Sequence, residues 1–114
     1  MMESGCDATP MEIDAPAFHE LRAGDGRHAV VDVREPWEVE VCGFPEAVTI
    51  PLQQLPERLA DLPEGDPLVV VCHSGRRSLV AARLLREHGV AHATSLRGGV
   101  EAWALTVDPD MPRY

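Results

Sequence analysis

The chain has 114 residues, 45% hydrophobic but only 4% aromatic, which suits one small core of Val, Leu and Ala and is too short for two ordinary domains. No apolar run approaches the ~20 residues of a membrane span, and a formal charge of −9 argues against nucleic acid as a partner. The opening stretch MMESGCDATPMEID is acidic and lacks the basic and apolar regions of a signal peptide, so a cytoplasmic protein without membrane association is expected.

Residues 1–10 are expected to be a flexible tail, 11–105 the domain and 106–114 a second, turn-rich and loose tail. Asp14 is placed to cap a helix that carries Pro16 in its first turn, runs to Ala23 and closes at Gly24. The β-branched run His28–Arg34 predicts a buried strand, and Glu35–Val41 a short helix with Pro36 in its first turn. Ala47–Pro51 reads as a strand ended by its proline, and Gln53–Leu62 as a weaker helix. Pro67–Cys72 is the clearest strand, a continuous apolar run suited to the centre of a parallel sheet. In Arg77–His88, Ala81, Leu84, Leu85 and His88 share a helical face, and Gly89 supplies a left-handed cap. Ala93–Leu96 is a last short strand, and Gly98-Gly99 opens a helix through Trp103, these residues serving turn and packing. Strands separated by helices require crossover connections, hence a parallel sheet in an α/β layer fold.

The three cysteines, Cys6, Cys42 and Cys72, form no disulfide pattern, and the five histidines show no metal-ligand spacing. No metal and no cofactor is expected. Charge is uneven along the chain. Between Val69 and Gly98 stand five arginines and one glutamate, net +4, which leaves −13 for the rest. A basic island around Cys72 suits a small anionic substrate, although Arg83 and Arg86 fit a solvated helix face.

Cys72 falls at the carboxyl end of the predicted central strand, where ligands of such sheets bind. The continuation His73-Ser74-Gly75-Arg76-Arg77-Ser78 is a tight strand-to-helix loop, whose backbone N–H groups point into its own concavity. The next helix adds its free first-turn N–H groups and the positive end of its dipole. These dipoles favour a thiolate over a thiol. Gly75 permits the sharp turn, Ser78 is placed to cap the helix, and Arg76 and Arg77 to meet an oxyanion. A buried structural cysteine is the other reading, but a polar, arginine-rich continuation is an odd neighbour for an inert thiol. His73 is an acid–base or substrate-contact candidate, or faces solvent.

From Met11 to Trp103 the chain resembles a rhodanese domain, on the motifs VVDVREPWEVE, IPL, PLVVVCHSGRRS, AARLLREHGV and SLRGGVEAW in that order. The resemblance to single-domain members implies a three-layer α/β fold, a central parallel sheet of about five strands flanked by helices. It implies sulfur transfer through a persulfide on Cys72, from thiosulfate or another persulfide donor to cyanide, a small thiol or a protein thiol. Rhodanese-type sulfurtransferases hold six residues in the active loop, here Cys72 to Arg77. Related phosphatases hold a longer loop with Arg six positions after Cys, where this chain has Ser78. A phosphatase or arsenate reductase is therefore disfavoured, and a non-catalytic binding module is disfavoured by the presence of Cys72. Asp32 and Arg34 match the family's DVR segment, with Asp32 fixing backbone or a loop near the site and Arg34 doing the same or forming a surface ion pair. Cys42-Gly43-Phe44-Pro45-Glu46-Ala47 departs from the family's usual Gly-His-Ile-Pro-Gly-Ala, so the histidine contact is missing. Cys42 is either a tolerated small residue or a resolving thiol for Cys72, and Cys6 is incidental. A monomer or weak dimer is expected, taking a small anionic sulfur donor and also a protein donor or acceptor.

Overall fold

A computed structural model of the protein describes residues 9–114. Cys6 and most of the expected leading tail lie outside them. The elements are β1 (Glu12–Ile13), α1 (Ala15–Ala23), β2 (Ala29–Asp32), α2 (Pro36–Val41), β3 (Val48–Thr49), β4 (Leu68–Val71), α3 (Arg76–Glu87), β5 (Ala93–Leu96) and α4 (Gly99–Thr106), with two 3-10 turns, Leu52–Glu57 and Leu59–Asp61, after β3. The five strands form one all-parallel sheet in the order β1-β5-β4-β2-β3, the α/β architecture expected.

β4 sits in the middle because every one of its residues is apolar and buried. Its alternating side chains serve both faces. Leu68, Val70 and Cys72 join a cluster with Val31, Val33, Leu55, Ala81 and Leu85, while Val69 and Val71 join Phe18, Phe44, Val100 and Trp103 on the opposite face. α3 covers the first cluster; α1 and α4 cover the second. No helix among the described residues is long and apolar enough to cross a membrane.

Asp14 caps α1 as expected, its carboxylate accepting from the Ala17 N–H at 2.9 Å. Four details differ from the sequence expectation. β1 was not foreseen, because two residues carry no readable alternation. It is held by main-chain bonds from Ser95 N–H to the Met11 carbonyl and from Arg97 N–H to the Ile13 carbonyl. The segment 53–62 forms 3-10 turns instead of a helix, because Pro56 lies inside it without an N–H and its ring excludes α-helical geometry. The buried stripe of α3 is Ser78, Ala81, Ala82 and Leu85, with Leu84 only partly covered and His88 exposed. Finally, the segment after α4 is not loose. Met111 and Tyr114 pack against the Phe18–Trp103 cluster, and Arg113 pairs with Glu101. Thr9 and Pro10 are also tethered, their carbonyls accepting from the Arg86 guanidinium.

Candidate active site

Cys72 follows the last residue of β4 and is 1% exposed. Its Sγ accepts the Gly75 N–H at 3.0 Å and lies 3.3 Å from the Ser78 hydroxyl. Ser78 Oγ is in turn 2.7 Å from Ser95 Oγ on β5, and both serines are fully buried. Ser78 is therefore not the cap of α3. Gly75 occupies that position with left-handed backbone, and the Ser78 side chain turns inward to the sulfur. With a thiolate present, Ser95 can donate to Ser78 and Ser78 to sulfur, a buried relay with one proton per bond. The Gly75 N–H and the Ser78 hydroxyl are thus the two groups placed to donate to the sulfur.

α4 holds the loop's other side. The Val100 N–H donates to the Cys72 carbonyl at 3.0 Å and the Glu101 N–H to the His73 carbonyl at 3.1 Å. These bonds draw the loop carbonyls away from the sulfur. The amides of His73, Ser74, Arg76, Arg77 and Ser78 have no acceptor among the described residues, as the first turn of a helix allows. The approach to α4 is so close that a Cβ on Gly99, whose φ is +59°, would stand 2.3 Å from the Cys72 oxygen and 2.4 Å from the His73 oxygen. Gly99→Ala should therefore cost about 2–5 kcal/mol through strain and overpacking. Thermal denaturation checks this, and an unchanged Tm would show that α4 does not clamp the loop.

The arginines divide their work differently from the expectation that Arg76 and Arg77 both face an incoming anion. Arg76 is exposed. Arg77 is occupied, its two terminal nitrogens each 2.8 Å from a carboxylate oxygen of Glu38. Glu38 itself is buried on α2 and also accepts from the Glu35 N–H at 2.9 Å and the Tyr114 hydroxyl at 3.0 Å. The Arg77 guanidinium outweighs burial and, with these further donors, holds the Glu38 carboxyl at about 2, against an ordinary 4.5. A carboxyl depressed in the folded state stabilises fully above its unfolded value, and that contribution fades as pH falls from about 4.5 towards about 2. The Tm advantage of the native chain over Glu38→Gln should accordingly shrink across that window. Parallel pH–Tm curves for the two proteins would refute the pairing.

Asp32 and Arg34 form a fully buried pair, not a surface one. Arg34 Nη2 lies 2.7 Å and Nε 2.9 Å from the two Asp32 oxygens. The guanidinium further donates to the Cys42 carbonyl at 2.7 Å, the Glu38 carbonyl at 3.3 Å and the Tyr114 hydroxyl at 2.9 Å. Burial alone would push Arg34 down, but its bonds to Asp32 and Tyr114 prevail and the net shift is upward. This hub fixes the turn that departs from the rhodanese pattern. Gly43 belongs there because a Cβ would stand 3.2 Å from Arg34 Nη2. Cys42 is buried and free, as is Cys72. The two thiols belong to core clusters on opposite faces of the sheet, so Cys42 fits the reading of a small packed residue and not that of a resolving thiol.

His73 lies on the rim. Its ring stacks on Tyr114 with centroids 4.2 Å apart and planes at 15°, and its Nε2 is 3.9 Å from Glu101. Ser74 is exposed beside it. Sequence reasoning missed Glu38, Ser95, Gly99 as a loop clamp, and Tyr114. Glu38 had a signal, since Glu35 and Glu38 stand at the spacing of a capping box; Tyr114 had none. No group of three or more potential metal ligands occurs among the described residues.

Fold and site together define an α/β protein with a cysteine seated at the carboxyl end of its central parallel strand, beneath a helix amino terminus. The model of the Rhodanese-like domain family matches residues 15–106. A sulfurtransferase of Allochromatium vinosum is 33% identical over 93 residues, covering 82% of this chain and 87% of that protein. The maize adenylyltransferase and sulfurtransferase MOCS3-2 is 40% identical over 100 residues, which are 81% of this chain but only 21% of the maize protein. Among solved structures, the human single-domain sulfurtransferase TSTD1 superimposes with a TM-score of 0.75 at 25% identity, covering 85% of this chain and 97% of the human one. The chain belongs to the rhodanese-like domain family.

Proposed function

We propose that this protein is a sulfurtransferase that carries a sulfane sulfur on Cys72. The observation that carries the reading is the six-residue loop Cys72–Arg77, whose Gly75 N–H meets Sγ, with the hydroxyl of Ser78 just beyond it also within reach of the sulfur. The Cys72 thiolate attacks the outer sulfur of thiosulfate. The bond to the sulfonate sulfur breaks, sulfite leaves with the electron pair, and a persulfide anion remains on Cys72. A nucleophilic acceptor then attacks the terminal sulfur. With cyanide the product is thiocyanate, with a thiolate it is the acceptor's persulfide, and the Cys72 thiolate returns. Charge is conserved in each step, and no metal or cofactor takes part.

The negative charge moves by one atom when the persulfide forms. The loop amides and the relay from Ser95 through Ser78 suit that displacement, because they are oriented before the reaction and need no reorganisation. Arg76 and the first-turn amides of α3 attract the anionic donor, while Arg77 stays with Glu38 and supports the loop. Persulfide donors other than thiosulfate fit the same chemistry, in keeping with the sulfurtransferase names of the Allochromatium and maize relatives.

The phosphatase alternative finds little support, because the guanidinium that would grip phosphate is held by Glu38 and a serine stands in the next position. Assaying thiocyanate formation from thiosulfate and cyanide beside aryl-phosphate hydrolysis separates the two. Sulfur transfer without hydrolysis is expected. Hydrolysis without transfer would reverse the assignment.

A further inference from the structure

We infer that Tyr114 is a specificity-determining residue, whose packing over the active-site loop admits small thiophilic acceptors to Cys72 and disfavours the thiols of large partners. The inference rests on the sulfur-transfer reading for the nature of the acceptors, but not for the geometry.

Tyr114 is the meeting point of three elements around the site. Its ring stacks on His73, the residue next to the nucleophile, and meets Trp37 of α2 edge-on at 5.8 Å. Its hydroxyl accepts from Arg34 at 2.9 Å and donates to Glu38 at 3.0 Å. Burial pushes the phenol above its ordinary range, which keeps it neutral and able to donate. One residue earlier Arg113 pairs with Glu101 of α4, and Met111 packs on the core cluster beneath α1 and α4. The segment 108–114 thus forms a strap from α4 across the His73 side of the loop to α2. Cys72 itself is 1% exposed among its sheet and α3 neighbours, and the loop residues left open beside the strap are Ser74 and Arg76.

An entrance bounded in this way discriminates by size. Cyanide or a low-molecular-weight thiol can pass the Ser74 side, whereas a cysteine on a folded surface needs the strap displaced. Two hydrogen bonds to charged groups and a stacked ring hold the strap, so the open state is a minority, and the apparent access of a bulky reactant is reduced by that fraction.

Alkylation of Cys72 tests the strap without relying on turnover. Iodoacetamide serves as the small reagent and fluorescein maleimide as the bulky one, with labelling quantified on the Cys72 peptide. Tyr114→Ala should raise the ratio of bulky to small labelling by about tenfold. Arg113→Glu should raise it in the same direction while Tyr114 stays in place. Combining Arg113→Glu with Glu101→Arg should restore the native ratio. An unchanged ratio in both single variants, or an equal rise for both reagents, would overturn the strap. Acceptor preference, cyanide against a cysteine-containing decapeptide, should shift towards the peptide in Tyr114→Ala. A raised labelling ratio with unshifted preference would overturn the specificity role. Failure of the native protein to transfer sulfur to either acceptor would overturn the functional reading and the acceptor assignment with it, an outcome the labelling ratio keeps distinct from failure of the strap.

Discussion

Cys72→Ser should lower thiosulfate-to-cyanide sulfur transfer at least about a thousandfold, because the step depends on a nucleophile that hydroxyl cannot replace. The substitution is nearly isosteric, and the hydroxyl can still reach the Gly75 N–H and the Ser78 hydroxyl that now meet Sγ. Tm should therefore change little. The pairing of large kinetic and small thermal effects is the informative result. An inert structural thiol would give the reverse, a modest loss of stability with turnover intact. Steady-state assays beside calorimetry on the same preparation distinguish the two.

The second large effect belongs to stability. Asp32→Ala should cost about 3–5 kcal/mol, the usual consequence of leaving one member of a buried ion pair without its partner. For a domain of this size that lowers Tm by at least about 10 °C. The Arg34 guanidinium would stay fully buried with its link to Asp32 gone and its remaining bonds to the Cys42, Glu38 and Tyr114 oxygens unable to neutralise it. Removing Arg113 from Glu101 gives the contrast. That pair is exposed, with the arginine side chain 56% accessible, and such solvent-screened pairs contribute little to stability. A Tm loss for Asp32→Ala no larger than that for Arg113→Ala would show that the Asp32–Arg34 pair does not anchor the β2–α2 corner.

Cys72, its loop and the parallel sheet were legible in the sequence because the signals are local and strong. An apolar run of strand length ends at a cysteine, glycine and arginine follow, and a helical period begins within a few residues. The same locality placed Asp14 as a cap and Ala93–Leu96 as a strand with its observed bounds. What escaped depends on distant pairing. Ser78 looked like a cap because its distance from a helix start is visible, whereas its partner Ser95 lies on another strand and is joined only by the β4–β5 pairing. Arg77 looked free because Glu38 is 39 positions away. Arg34 read as ambiguous between surface and interior because its five-fold donor capacity is satisfied by groups from β2, α2, the following turn and Tyr114. The segment after α4 is rich in turn residues, and its order comes from Met111, Arg113 and Tyr114 finding partners that no short-range pattern announces.

The central claim is that Cys72 carries the transferred sulfur. Intact-protein and peptide mass spectrometry after incubation with thiosulfate tests it most directly, with cyanide added afterwards to discharge the product. The expected result is a gain of one sulfur atom located on the Cys72 peptide, lost on cyanide treatment with release of thiocyanate, and absent from Cys72→Ser. A sulfur adduct on Cys42 or Cys6 instead, or none at Cys72 under conditions of active turnover, would contradict the account.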